Sequence, residues 1–371
     1  MVVPAAQQSS LGLMPLRLRN GRDLLSILVL HVLGGLVGGL LSAVHIPLAW
    51  MIGPMLLTAG FAATRELPPL PLLPRRTGQL IVGGAIGLYL TPAALGSVLD
   101  ALVPIVASTI VIALVAVPIA LLLGRVGRTD AATALFAALP GGPVEMAQLA
   151  ERYGGEGSLV ALTQTMRIAA IVILIPPLLV VLGNPVVDVI RLQVVVSYPG
   201  LAMALAFAVA GAWLAAKVGL MNPFFVGPML AVATAALLDL PLSGIPGVVL
   251  AGAQIMLGVS LGGMFDRQVL RRGRNFLGVA CMTTLLLIGV TLVMAAAMAA
   301  MGVSTFSTLA LANAPGSVTE MAIAAKAMHL DVSLVASFHI IRILILTPNA
   351  ALFFRVMRRM IEPHLPPNGG R

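Results

Sequence analysis

Apolar residues run along the chain in long stretches, separated by short turns rich in Arg, Pro and Gly. The stretches fall at 24–44, 46–63, 77–95, 101–123, 131–150, 158–182, 200–216, 222–238, 247–264, 276–301, 305–325 and 332–354. Each approaches the ~20 residues that carry an α-helix across ~30 Å of hydrocarbon. Their apolar character is continuous rather than alternating, which predicts helices and points away from a β-barrel. Two of the twelve carry a Pro-Gly pair in mid-segment, Pro140-Gly141 in 131–150 and Pro315-Gly316 in 305–325. Proline removes a backbone donor and clashes with the preceding turn, so each is expected as a broken or re-entrant segment. The segment at 46–63, with His45, Pro47 and Pro54, is an alternative place for the break.

The two breaks belong to a duplication. Residues 140–168 align with 315–343 at a constant offset of 175, with identities at 12 of the 29 positions. The shared positions include Pro140-Gly141 and Pro315-Gly316, Glu145 and Glu320, and Arg167 and Arg342. A second region repeats Gln79, Gly83 and Gly87 as Gln254, Gly258 and Gly262, and Gly53-Pro54-Met55-Leu56 as Gly227-Pro228-Met229-Leu230. Small residues four apart let helices approach closely, so the glycines read as packing positions. An amide in apolar surroundings needs a partner, which makes Gln79 and Gln254 less ordinary.

Composition agrees with the segment pattern. With 59% hydrophobic and 9% charged residues, the chain lies far from the ~25% charged content of soluble domains. The net charge of +9 would suggest nucleic acid as a partner in a soluble protein. Here its cause is topology, because Lys and Arg collect on the cytoplasmic side of short loops. If all twelve segments crossed, Arg267, Arg271, Arg272 and Arg274 would lie outside. With the two broken segments not crossing, five helices per copy cross, both termini are cytoplasmic, and only Arg191 and Lys326 fall on the outer face. Five is odd, so the second copy is inverted, as in secondary transporters whose sites lie where the copies meet. The N-terminal Arg17, Arg19 and Arg22 precede an apolar run too long for a signal-peptide core, so 24–44 reads as a retained helix. Cys281 stands alone, so no intramolecular disulfide forms. The expected organisation is a cytoplasmic segment 1–23, membrane repeat 24–183, linker 184–199, membrane repeat 200–357 and cytoplasmic tail 358–371.

Charge at membrane depth selects the candidate site. Glu145 and Glu320 each follow a break by five residues, at the electropositive start of a new half-helix, and either cap that helix or bind a proton or cation. Arg167 and Arg342 keep their charge and need an anion, either their own Glu or an anionic solute. Gln164 and His339 lie three residues before each Arg on the same helix face. His339 reads first as a hydrogen-bonded imidazole, and Asn313 stands before the second break where the first copy has Ala138. Glu156 and Asp331 read as helix N-caps. No zinc-spaced Cys/His cluster, phosphate-binding loop or large extramembrane segment is present, so no cofactor beyond a coupling Na+ or H+ is expected.

The pairing of Pro140-Gly141-Gly142-x-x-Glu145-Met146-Ala147 with Pro315-Gly316-Ser317-x-x-Glu320-Met321-Ala322, followed by His339-x-x-Arg342, resembles the bacterial AbrB-type membrane duplication family. The resemblance spans about residues 24–357. It implies a bacterial inner-membrane location and a duplicated helical fold. Members of that family carry the labels transporter, regulator of gene expression and ammonia monooxygenase. The small soluble DNA-binding regulators also called AbrB differ from this chain in composition, and no residue run here suits a nucleic-acid partner.

The expectation is therefore an all-α integral membrane protein of two inverted repeats, each about five transmembrane helices plus a broken Pro-Gly segment. Its expected role is ion-coupled secondary transport of a small anionic solute, with Arg167, Arg342, Asn313, Gln164 and His339 toward the solute. Glu145 and Glu320 bind the coupling ion or hold the Arg residues, and Pro140, Gly141, Pro315 and Gly316 make the breaks. The lipid bilayer and the solute are the expected partners, with homo-oligomerisation left open. A membrane sensor that binds the same ligand without flux is the alternative. A monooxygenase is the least supported, since it lacks a metal-ligand cluster.

Overall fold

The computed structural model describes residues 21–185, 196–220, 222–265, 267 and 274–361. The expectations for residues 1–20, for most of the linker with Arg191, for Arg271 and Arg272, and for the tail from 362 lie outside them. Every regular element among the described residues is a helix. The first copy holds α1 (Gly21–Ala43), α2 (Ala49–Thr64), α3 (Leu72–Gly87), α4 (Pro92–Asp100), α5 (Leu102–Gly127), α6 (Ala131–Ala138), α7 (Pro143–Arg152) and α8 (Gly157–Val181). The second holds α9 (Tyr198–Lys217), α10 (Pro223–Leu237), α11 (Gly247–Gly262), α12 (Arg274–Ala300), α13 (Phe306–Asn313), α14 (Val318–Ala327) and α15 (Val332–Ile361). The pairs α3 and α11, α6 and α13, and α7 and α14 start 175 residues apart (72 and 247, 131 and 306, 143 and 318) and have equal lengths.

The chain is a membrane protein. Six helices are long and apolar enough to cross a bilayer, namely α1, α5, α8, α9, α12 and α15. The 15- and 16-residue helices α2, α3, α10 and α11 reach about 22–24 Å at 1.5 Å per residue. Leu25, Leu28, Val32, Leu36 and Leu40 leave one face of α1 exposed at helical spacing, a surface for lipid. The expected segment at 77–95 is instead two helices. Thr91 ends the first by capping the second, its Oγ1 accepting from Ala94 N at 3.2 Å with Pro92 as the first helical residue. Residues 49–64 form one helix with Pro54 inside it, so the breaks are those at 139–142 and 314–317.

The helices sort into two bundles by how they pack. In the clasp bundle, α2 packs on α11 and α3 on α10, so each copy's second helix meets the other copy's third. Glycines set the depth. A Cβ on Gly83 or Gly87 would strike the Phe225 or Met229 carbonyl, and one on Gly258 or Gly262 the Met51 or Met55 carbonyl. These are the same contacts with the copies exchanged, and they bear out the packing role expected of the repeated glycines. Gly78 of α3 faces the backbone of Ala253 of α11, its own counterpart, which places the two-fold axis between these helices. The break bundle comprises α5–α8 and α12–α15, with α5 packed on α12 and α15. Rings of Phe136, Tyr153 and Phe354, with centroids 4.7–5.9 Å apart, tie the first break to α15.

Candidate functional site

Each break leaves the last carbonyls of a half-helix without intrahelical donors. Buried side chains on the following long helix supply them. Arg167 of α8 donates from Nη1 to Ala137 O and Ala138 O, both at 3.2 Å, and from Nη2 to Leu139 O at 3.5 Å. Its Nε crosses to the other copy and donates to Pro315 O at 3.1 Å. Arg342 of α15 donates from Nη1 to Asn313 O and Ala314 O at 3.3 and 2.9 Å, and from Nη2 to Gly316 O at 3.4 Å. Neither guanidinium pairs with the Glu of its copy; carbonyl dipoles take the place of an anion.

Gln164 and His339 perform one task with different chemistry. Gln164 Nε2 donates to Phe136 O and Leu139 O at 2.8 and 2.7 Å, while its Oε1 accepts from Arg167. His339 Nδ1 accepts from Arg342 Nη2 at 2.7 Å, which puts the ring proton on Nε2, facing Leu311 O at 3.0 Å. Leu311 is the counterpart of Phe136 at the same offset of 175 (136 and 311). Asn313 turns its amide to Leu309 O at 3.0 Å, and its Oδ1 has no partner.

Between the two breaks lies a cavity of about 310 Å³. Its walls include 140–145 of the first break, Gly316, Ser317 and Glu320 of the second, and Arg75, Arg76 and Gln79 from the start of α3. Asn222, Phe224, Ser260, Met264 and Arg342 complete the polar and aromatic edge. The start of α3 and the end of α11 border one cavity, so these equivalent helices run antiparallel and the repeats are inverted. Both Glu residues, both breaks and Arg342 line the cavity, whereas Arg167, Gln164, His339 and Asn313 are not among its lining residues.

The two acids differ in setting. Glu145 is half-buried and lies back over Gly142, where a Cβ would collide with its carboxylate. Glu320 is buried, and its Oε2 has no partner. Both sit in the first turn of their half-helices, where exposed N–H groups make the cavity wall electropositive. Of the two expected N-caps, Asp331 caps α15 by accepting from Leu334 N at 2.9 Å, whereas Glu156 makes no cap bond.

The profile of a family described as "Transition state regulatory protein AbrB" matches residues 50–358, from the start of α2 to the end of α15. The chain belongs to the AbrB family. It is 28% identical over 325 residues to "Putative regulator AbrB" of Escherichia coli (strain K12), covering 84% of this chain and 91% of that protein. It is 23% identical over 368 residues to "Uncharacterized protein YhjN" of Bacillus subtilis (strain 168), covering 92% and 96%. No solved structure matches. In this AbrB-family chain the matched span includes both breaks and every wall of the cavity.

Sequence reasoning missed Arg75 and Arg76 as cavity residues, taking them for loop charges that set topology. A signal was present: Leu72, Arg75, Arg76 and Gln79 share one face of a helix. Phe224 holds Arg76 in place, with its guanidinium 4.6 Å from the ring centroid.

Proposed function

We propose that this protein is a secondary transporter of the bacterial inner membrane that moves a small anionic solute through the cavity between the breaks, coupled to H+ or Na+. The observation that carries the reading is the convergence of Arg75, Arg76, Arg342, two half-helix N-termini and two carboxylates on one cavity shared by inverted copies. Arg75 and Arg76 offer guanidinium donors to an anion in the cavity. Arg342 contributes charge while holding the second break. Arg167, Gln164, His339 and Asn313 act from behind, keeping the backbone of the breaks in the shape the solute meets. Glu320, with one unpartnered oxygen at membrane depth, and Glu145 on the facing break are the groups for the coupling cation. The Arg-rich ends of the helices, with both termini, lie in the cytoplasm.

The test is flux. Purified protein in sealed vesicles is offered a panel of labelled mono- and dicarboxylates under imposed pH and Na+ gradients. Gradient-driven accumulation that falls with Arg75→Ala and Glu320→Gln supports the proposal. Binding of a carboxylate with no gradient-dependent flux would replace it with a membrane sensor, a reading favoured by the word regulator in the name of the Escherichia coli relative.

A further inference from the structure

Gln254 of α11 is 1% exposed, and neither its Nε2 nor its Oε1 has a partner. An unpaired buried amide forfeits its hydration without compensation, and a group kept in that state calls for an explanation. Its counterpart across the two-fold axis, Gln79 of α3, lines the open cavity. The contrast continues along both helices. Arg75, Ser260 and Leu261 line the cavity, while their counterparts Leu250, Ala85 and Ile86 are packed shut.

The closure has identifiable contacts. Half-helix α14 packs against α3, and Lys326 Nζ lies 5.4 Å from the centre of the Tyr89 ring. The counterpart pair, α7 and α11, makes almost no contact, and the cavity occupies the space between them. Two equivalent gates are therefore seen in opposite conditions, α14 against α3 where Gln254 is buried and α7 apart from α11 where Gln79 lines the cavity.

We infer that Gln254 is a second contact point for the solute, reached in another state of the protein in which α14 leaves α3 and α7 closes on α11. Exchanging the two gates uses the same inverted backbone, so the second state is built from contacts the first already contains. In it the amide gains the partner it lacks here, donating from Nε2 to an oxygen of the anion. Leu250 and Ala251 stand where the open half has Arg75 and Arg76, so the solute meets no fixed cation from α11 on that side and departs readily. The inference rests on the transporter reading, but its test needs no flux.

In a Cys281→Ala background, Gln79→Cys and Gln254→Cys are each exposed to a charged, impermeant methanethiosulfonate from one face of sealed vesicles and then from the other. Gln79→Cys should react from a single face. Gln254→Cys should react only from the opposite face, about 10- to 1000-fold more slowly, as fits a state populated at roughly 0.1–10%. Adding Lys326→Ala, which weakens the shut gate, should raise the Gln254→Cys rate several-fold, with a far smaller change in that of Gln79→Cys. Leu250→Cys, one turn earlier on the same face of α11, serves as a second reporter if Gln254→Cys does not fold. Reaction of both positions from one face, or no reaction of either α11 reporter even with Lys326→Ala, overturns the inference. Gated labelling without carboxylate flux would preserve the inference and remove the transporter reading; flux without gated labelling would do the reverse.

Discussion

The open and shut halves of the α3–α11 groove share a backbone and one polar residue type, and differ in almost everything else. Gln79 and Gln254 occupy equivalent places, but around them Arg75, Arg76 and Ser260 give way to Leu250, Ala251 and Ala85. Duplication fixed the shape of both halves, whereas later divergence decided which half holds fixed positive charge. The lesson is that pseudo-symmetry in such a molecule reports the shape of the groove, and the departures from it report where its chemistry differs.

The largest effect expected concerns the arginines behind the breaks. Arg167→Ala strips donors from three carbonyls of its own break and from Pro315 O of the other. The expected loss is about 1–3 kcal/mol for each buried carbonyl left without a donor. Arg342→Ala should cost less, because it bonds only to its own copy. Thermal unfolding of purified protein would rank them, and the reverse order would break the asymmetry.

Next is the charge contrast between the halves. Arg75→Ala should weaken carboxylate binding by about 10- to 100-fold, equivalent to ~1.5–3 kcal/mol for a charged hydrogen bond, and leave unfolding nearly unchanged. Isothermal titration of a bound carboxylate reads the first quantity. A large shift in unfolding without a change in affinity would make Arg75 structural.

Gly83→Ala and Gly258→Ala probe the feature the halves share. Each drives a methyl group onto a carbonyl of the facing helix, Phe225 in one case and Met51 in the other. About 1–3 kcal/mol is expected for each, and the two values should agree if the clasps are equivalent. A difference beyond this range would mean that the clasps carry unequal loads.

The smallest effect tests chemical equivalence. His339→Gln should cost under ~1 kcal/mol, since an amide can accept from Arg342 and donate to Leu311 O as Gln164 does for its copy. A larger loss in unfolding temperature would show that the imidazole does something the amide cannot.

Much of this architecture was legible in the sequence because duplication is self-comparison. The offset of 175 exposed Pro140 and Pro315 as breaks and Gly83 and Gly258 as close contacts. The helix boundary at Gly87 was harder, since 77–95 is apolar throughout and only the Thr91-Pro92 pair marks the turn. The partners of Arg167 and Arg342 were not legible. Backbone carbonyls carry no signature in a sequence, so the contacts that hold the two guanidinium groups could not be read from it. Arg75 and Arg76 escaped notice for the opposite reason, because positive charge near a helix end already had a topological explanation.

The exchanged clasps bear on how the protein is made. When α3 leaves the ribosome, the surface that Gly83 and Gly87 are shaped to meet has not been synthesised, because it belongs to α10. Until that surface is made, the seam of the N-terminal copy lacks its partner. A chain stopped in the linker is thus not a smaller version of the protein but an unfinished one, with its seam unpaired. Each half thus completes its packing only against the other, through equivalent contacts.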